Sequence, residues 1–390
     1  MIPRAKFRTS RHVYFLSGVT LIVPSKFSLI IFAMILIMLI FSRKNYSIVN
    51  SFNFVFLMIV AAVSVASIIP SVALGDPEAY LFLQRFLACA FVSITALMLT
   101  SNKKYNNLEL YISGVFLFTF INATFVILTA LRPDIYELLQ IERLSGFNAS
   151  IKRLRSPGLV AGFDYAGLLS TLGLIISFWW YSTKSLSFFR LIFFSITFLV
   201  AIILSSRFTM IAAGVALLMI FFDYKVRGKA SRLVLLLFAS PILYIGVVLS
   251  LGLLDASYIE YATLGHITYK DIEVVYNLGS VNDYLDHYDL SNVEIFASES
   301  LDFYPDNFYF RLLYSGGTFA AAPVFFIITI FCSMIFLSQK GEMRIIYKSF
   351  IVIIVIMSAK TNYFFYLPLW FLMVNMFIFR KHLFNPNGNA

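Results

Sequence analysis

LELYISGVFLFTFINATFVILTAL, from Leu108 to Leu131, is a long, predominantly apolar run. At about 1.5 Å per residue it reaches across the roughly 30 Å hydrocarbon core of a bilayer as a single helix. Similar runs recur on both sides of it. A span needs about 20 apolar residues, and roughly 15–17 suffice where polar ends snorkel to the interface. On that rule about twelve segments qualify: His12–Val23, Phe27–Phe41, Asn50–Pro70, Ala79–Thr100, Leu108–Leu131, Tyr165–Tyr181, Phe189–Ser205, Phe208–Phe222, Leu233–Leu254, Phe308–Leu337, Ile345–Ala359 and Asn362–Phe379. The expected fold is all-α: a polytopic membrane protein whose residues 1–390 form a single transmembrane domain.

Composition supports this reading. The chain is 60% hydrophobic and only 13% charged, with mean hydropathy +0.85. A soluble domain could not hide so much apolar surface. Arg4, Lys6, Arg8 and Arg11 precede the first apolar run without a small-residue cleavage pattern, so that run is expected to be retained. The net charge of +10 does not point to nucleic acid, because the basic residues lie in small groups between apolar runs, where they orient helices. Cys89 and Cys332 both fall inside apolar runs and read as core thiols.

Lys and Arg set the orientation. Arg43 and Lys44, Lys103 and Lys104, Lys184, the group Lys225, Arg227, Lys229 and Arg232, and the group Lys340, Arg344 and Lys348 occupy alternate loops. With twelve spans these are all cytoplasmic, as are both termini. Two long external segments follow, Arg132–Asp164 and Asp255–Asn307. The second carries eleven carboxylates from Asp255 to Asp306 against Lys270 alone. Loops of this length are usually functional.

Positive charge appears against the bias at two external places. One is Lys152-Arg153-Leu154-Arg155, followed by Ser156-Pro157-Gly158 and a helix start near Asp164. Guanidinium forks near a helix N-terminus suit a phosphate, although headgroup anchoring explains the same pattern. The other is Arg207, in the tight junction Ser205-Ser206-Arg207-Phe208-Thr209. An interfacial Arg commonly snorkels, but two arginine groups facing one compartment can clamp a diphosphate.

Three further groups stand out. Asp306 follows Pro305 at the end of the second loop, and Asn307, Tyr309, Arg311 and the pair Gly316-Gly317 come just after it. Asp306 reads either as an N-cap or as a general base at the membrane surface. The glycine pair allows close backbone approach or a break in the helix. Arg85 is an intramembrane charge, held either by Glu78 or Asp76 or by a substrate. Asp283, Asp286, His287 and Asp289 fit no metal motif and read as a solvated loop face. No Walker A, GxGxxG, HExxH, GxSxG or CxxC pattern is found, so an external enzyme here would need an already activated substrate.

Three segments together resemble the O-antigen polymerase (Wzy) and O-antigen ligase superfamily of bacterial inner-membrane proteins. They are Arg155-Ser156-Pro157-Gly158 with Phe163-Asp164-Tyr165-Ala166-Gly167, then Ser205-Ser206-Arg207-Phe208-Thr209, and finally Asp306-Asn307-Phe308-Tyr309-Phe310-Arg311-Leu312-Leu313. With the twelve-span layout and loop placement, the resemblance covers nearly the whole chain. The ligases typically have His where this chain has Asp306, which favours a polymerase.

The resemblance implies a substrate glycan on undecaprenyl diphosphate at the periplasmic face and inverting, metal-independent transfer without a cofactor. Arg155 and Arg207 would hold the diphosphate and stabilise the leaving group, with Arg85 and Arg311 as further diphosphate contacts. Asp306 would accept the proton of the attacking sugar hydroxyl, and Tyr304, Asn307 and Tyr309 would contact glycan. A chain-length regulator is a possible partner. The ligase reaction onto lipid A core is one alternative, and a flippase or other transporter is another. A transporter should show related halves and a midplane site, whereas polar residues here concentrate in two unequal loops.

Overall fold

The computed structural model describes residues 7–23, 25–41, 51–101, 108–132, 135, 158–160, 162–183, 185–222, 308–338 and 344–379. Among them every regular element is an α-helix. These are α1 (Phe7–Val19), α2 (Ser25–Phe41), α3 (Ser51–Ala73), α4 (Pro77–Ser101), α5 (Leu108–Leu131), α6 (Phe163–Ser182), α7 (Phe188–Ile203), α8 (Arg207–Phe222), α9 (Phe308–Ser338), α10 (Arg344–Ser358) and α11 (Leu367–Ile378). They fall on eleven of the predicted segments. The remaining one, Leu233–Leu254, lies outside the described residues, as do the loop 255–307 and most of 132–164. Five helices, α3, α4, α5, α6 and α9, are long and apolar enough to cross a membrane; α2, α7, α8, α10 and α11 are apolar but shorter. The chain is therefore read as membrane-embedded.

The chain divides into two compact units. One comprises Met1–Thr20, Ser25–Gly114 and Asp289–Ala390; the other comprises Leu21–Pro24 and Val115–Tyr288.

In the first unit α4 packs against α2, α3 and α11. Aromatic rings fill the space between helices: Phe56, Phe331 and Phe377 meet with centroids 5.0–6.3 Å apart, and Phe365 joins Phe86 at 4.6 Å and Trp370 at 5.6 Å. The Trp370 indole would be an orphan donor in this apolar setting. It donates instead to the Cys89 carbonyl (3.0 Å) and the Ser93 hydroxyl (2.9 Å). Cys89 and Cys332 are buried free thiols.

The sequence reading treats Phe308–Leu337 as one span, but α9 is broken at Gly317, whose φ of 66° and ψ of −177° only glycine adopts without strain. The rings of Phe308 and Tyr309 lie 6.1 and 5.8 Å from that of Phe325. In a straight helix residues 17 apart are about 25 Å apart, so the short arm, 308–316, folds back toward the long arm, 318–338. Gly316 sits in the bend: a Cβ there would lie 2.5 Å from the Cβ of Ala320 and 3.0 Å from Cδ1 of Ile68. Its carbonyl, freed by the break, accepts from the Ser71 hydroxyl at 3.2 Å.

A second difference concerns α11, which starts at Leu367 rather than near Asn362. The Asn362 side chain accepts from the Phe365 amide at 3.2 Å and holds a turn, and Pro368 favours a helix start at this point.

In the second unit α6 is buried over almost its whole length and packs against α7 and α8. An all-round buried helix must satisfy its hydroxyls internally. Ser170, Thr171 and Ser177 each donate to the carbonyl four residues back at 2.9 Å. Gly173 lets α5 and α7 approach: a Cβ there would overlap the Phe198 ring and lie 2.8 Å from the Thr119 hydroxyl oxygen. Gly173→Ala is expected to destabilise the second unit by about 1–3 kcal/mol through overpacking. Thermal unfolding in detergent would read this, and an unchanged midpoint would refute it.

Candidate functional site

The second unit brings together two of the segments singled out in the sequence. Gly162 has φ 103° and leads into α6, so Asp164 lies in the first turn of that helix. The α7–α8 junction is the three residues Leu204-Ser205-Ser206, and α8 begins at Arg207. Ser205 and Ser206 are buried, and the Ser206 hydroxyl donates to Asp164 Oδ1. This contact clasps the start of α6 to the turn immediately before Arg207.

The end of the first long loop is pinned as well. Asn122, fully buried within α5, accepts from the Leu159 amide at 2.9 Å. Gly158 has φ 65°, and a Cβ there would lie 2.8 Å from Val126 Cγ2 and 2.9 Å from the Asn122 carbonyl oxygen. Position 158 therefore accepts only glycine without rearrangement. Arg155, three residues upstream, lies outside the described residues, as do Lys152 and Arg153.

The first unit holds Arg85, Tyr309 and Arg311. Asp306, Asn307 and Tyr304 lie outside the described residues, as does the Asp283–Asp289 group. Arg311 is on the short arm of α9 and grips Glu78 with two parallel bonds, Nε to Oε2 at 2.9 Å and Nη2 to Oε1 at 2.8 Å. Both side chains are mostly buried, 23% and 14% exposed, so the pair is held in a shielded place. The ion pair that formed is thus Arg311–Glu78, not one of Arg85 with Glu78 or Asp76. Asp76 instead caps α4, its Oδ1 accepting from the amides of Glu78 (2.7 Å) and Ala79 (3.1 Å). Arg85 lies 5.6 Å above the Phe82 ring, and its Nη1 is buried without a hydrogen-bond partner.

Tyr309 lines an apolar groove of about 440 Å³ between the two arms of α9, α10 and Phe364. Its hydroxyl donates to the Val355 carbonyl at 3.0 Å. Along the long arm the groove runs from Phe325 to Leu337, about 18 Å of helix. Its walls are phenylalanine, isoleucine, valine and leucine, relieved by Thr329, Ser333 and Cys332. Such a groove suits an aliphatic or isoprenoid chain.

Asn122, Asp164 and Ser206 escaped assignment from sequence alone, and Glu78 reads there only as a candidate partner of Arg85, not of Arg311. Asn122 carried a usable signal, an amide in the middle of an apolar run. The others read as ordinary helix-start or turn residues until their partners, distant in sequence, are known. Compared with known protein families, curated proteins and solved structures, the chain matches none.

Proposed function

We propose that this chain is a membrane-embedded glycosyltransferase that polymerises undecaprenyl-diphosphate-linked repeat units into O-antigen or a related surface polysaccharide at the periplasmic face of a bacterial inner membrane. The supporting observation is the Asp164–Ser206 clasp. It joins the helix entered from the first long loop to the junction bearing Arg207, two segments that carry the resemblance to the polymerase family.

In this reading Arg155 and Arg207 hold the donor diphosphate. As the anomeric carbon–oxygen bond breaks, negative charge builds on the diphosphate, and fixed guanidiniums stabilise that charge more than they stabilise the ground state. A hydroxyl of the incoming repeat unit attacks from the opposite face, which inverts the anomeric centre. Asp306 accepts the hydroxyl proton. The apolar groove beside Tyr309 fits a lipid tail approaching from the bilayer, and Tyr304 and Asn307 are assigned to the glycan. In this reading the orientation is taken from the Lys and Arg bias, so that twelve spans with cytoplasmic termini would leave both long loops on the periplasmic side.

The glycan of a deletion strain tests the assignment. Loss of the polymerase should leave lipopolysaccharide capped by a single repeat unit. Uncapped core with accumulated lipid-linked polymer would identify a ligase instead, and unchanged glycan would remove both readings.

A further inference from the structure

Glu78, Phe82 and Arg85 lie on one face of α4, at i, i+4 and i+7. The cations near this face outnumber the carboxylate that answers them. Arg311 takes both oxygens of Glu78, and the Asp76 carboxylate is engaged by two backbone amides. Arg85 therefore has no hydrogen-bonding or ion-pair partner among the described residues, yet it feels the repulsion of Arg311 as well as the attraction of Glu78. It lies about 10 Å along the helix from Glu78, inside a helix long and apolar enough to span the bilayer. A charged side chain at such a place is costly and persists where a partner or ligand meets it.

We infer that Arg85 and Arg311 form a second phosphate-binding site, confined to the first unit, that takes the diphosphate of the incoming lipid-linked repeat unit. This assignment rests on the polymerase reading, in which two lipid-linked substrates must be held at once. Arg207, one of the donor's two arginines, belongs to the second unit. Two guanidiniums offer planar forks that match phosphate oxygens. The Phe82 ring beneath Arg85 keeps that guanidinium in place from below. Glu78 is the counter-charge of Arg311, and an incoming diphosphate competes with it for that guanidinium. Leu81, one turn before Arg85 on the adjoining face of α4, is exposed and opens the site toward the bilayer.

The test is the number of lipids bound by the purified full-length protein. Native mass spectrometry with undecaprenyl diphosphate alone should show two equivalents on the unaltered protein and one on Arg85→Gln. Arg85→Lys, which keeps the charge without the fork, should retain the second equivalent with about tenfold weaker affinity. Glu78→Gln should bind it more tightly, because Arg311 is released. A single equivalent on the unaltered protein, two on Arg85→Gln, or weaker binding by Glu78→Gln would each overturn the site. Displacement of the second equivalent by inorganic diphosphate at the lipid's own concentration would assign it to a soluble phosphate and overturn the lipid assignment. The count needs no glycan transfer, so a protein that binds two lipids but makes no polymer would refute the polymerase reading and leave the two-lipid count standing.

Discussion

Arg207→Ala is expected to abolish long-chain glycan while the protein still inserts in the membrane. Arg207 opens α8 immediately after Ser206, whose hydroxyl is held by Asp164. The backbone at this junction is thus fixed before any ligand arrives. A guanidinium mounted on a fixed backbone stabilises developing charge without reorganising, and removing one such group typically slows the chemical step by about 10²–10³-fold. Arg155→Ala should behave alike. Three residues after it in sequence, Gly158 is seated against Asn122 and Val126. Arg207→Lys should recover only part of the activity, since an ammonium lacks the two-pronged contact. Glycan length on gels, read beside the amount of protein in the membrane fraction, decides the matter. Normal long-chain glycan in both alanine variants would end the diphosphate-clamp model.

Asp306→Asn should lower turnover of purified lipid-linked repeats by about 10²–10⁴-fold, the range for loss of a general base, with lipid binding retained. The amide keeps the size of the side chain and loses its capacity to take a proton. Asp306 lies two residues before Phe308, which is completely buried and packs against Phe82, Phe325, Phe364 and Phe365. The chain leaving the second long loop therefore has a firm attachment no more than about 7 Å of backbone away. Near-normal turnover of Asp306→Asn would remove this residue as the base and move attention to the other carboxylates of the loop.

Helix positions were largely legible from residue types. An apolar run of membrane length, bounded by lysine and arginine, has few folds open to it, because backbone groups in hydrocarbon must bond within their own segment. The start of α11 shows the limit: Tyr363, Phe364 and Phe365 are as apolar as any helix, yet Asn362 turns the chain there. Hydropathy does not register a side chain accepting from a backbone amide. In α9 the Gly316-Gly317 pair announced an allowed break, but nothing in composition sets the angle. The returning short arm is revealed only by the rings that meet across the bend.

The site residues divide in the same way. Arg155, Arg207, Arg85 and Arg311 stood out because charge is conspicuous against an apolar background, and Arg155 and Arg207 also run against the known topological bias. Which of them is already occupied was not legible. Glu78 and Arg311 are 233 positions apart, as Ser206 and Asp164 are 42 apart, and local periodicity carries no information across such separations. Residue chemistry decided that this chain is helical, that it belongs in a membrane and where its unusual charges lie, since transfer free energy depends on each segment's own composition. Tertiary packing alone decided that Arg311 pairs with Glu78 while Arg85 has no such partner among the described residues, because pairing depends on which side chains the folded helices bring within hydrogen-bonding distance.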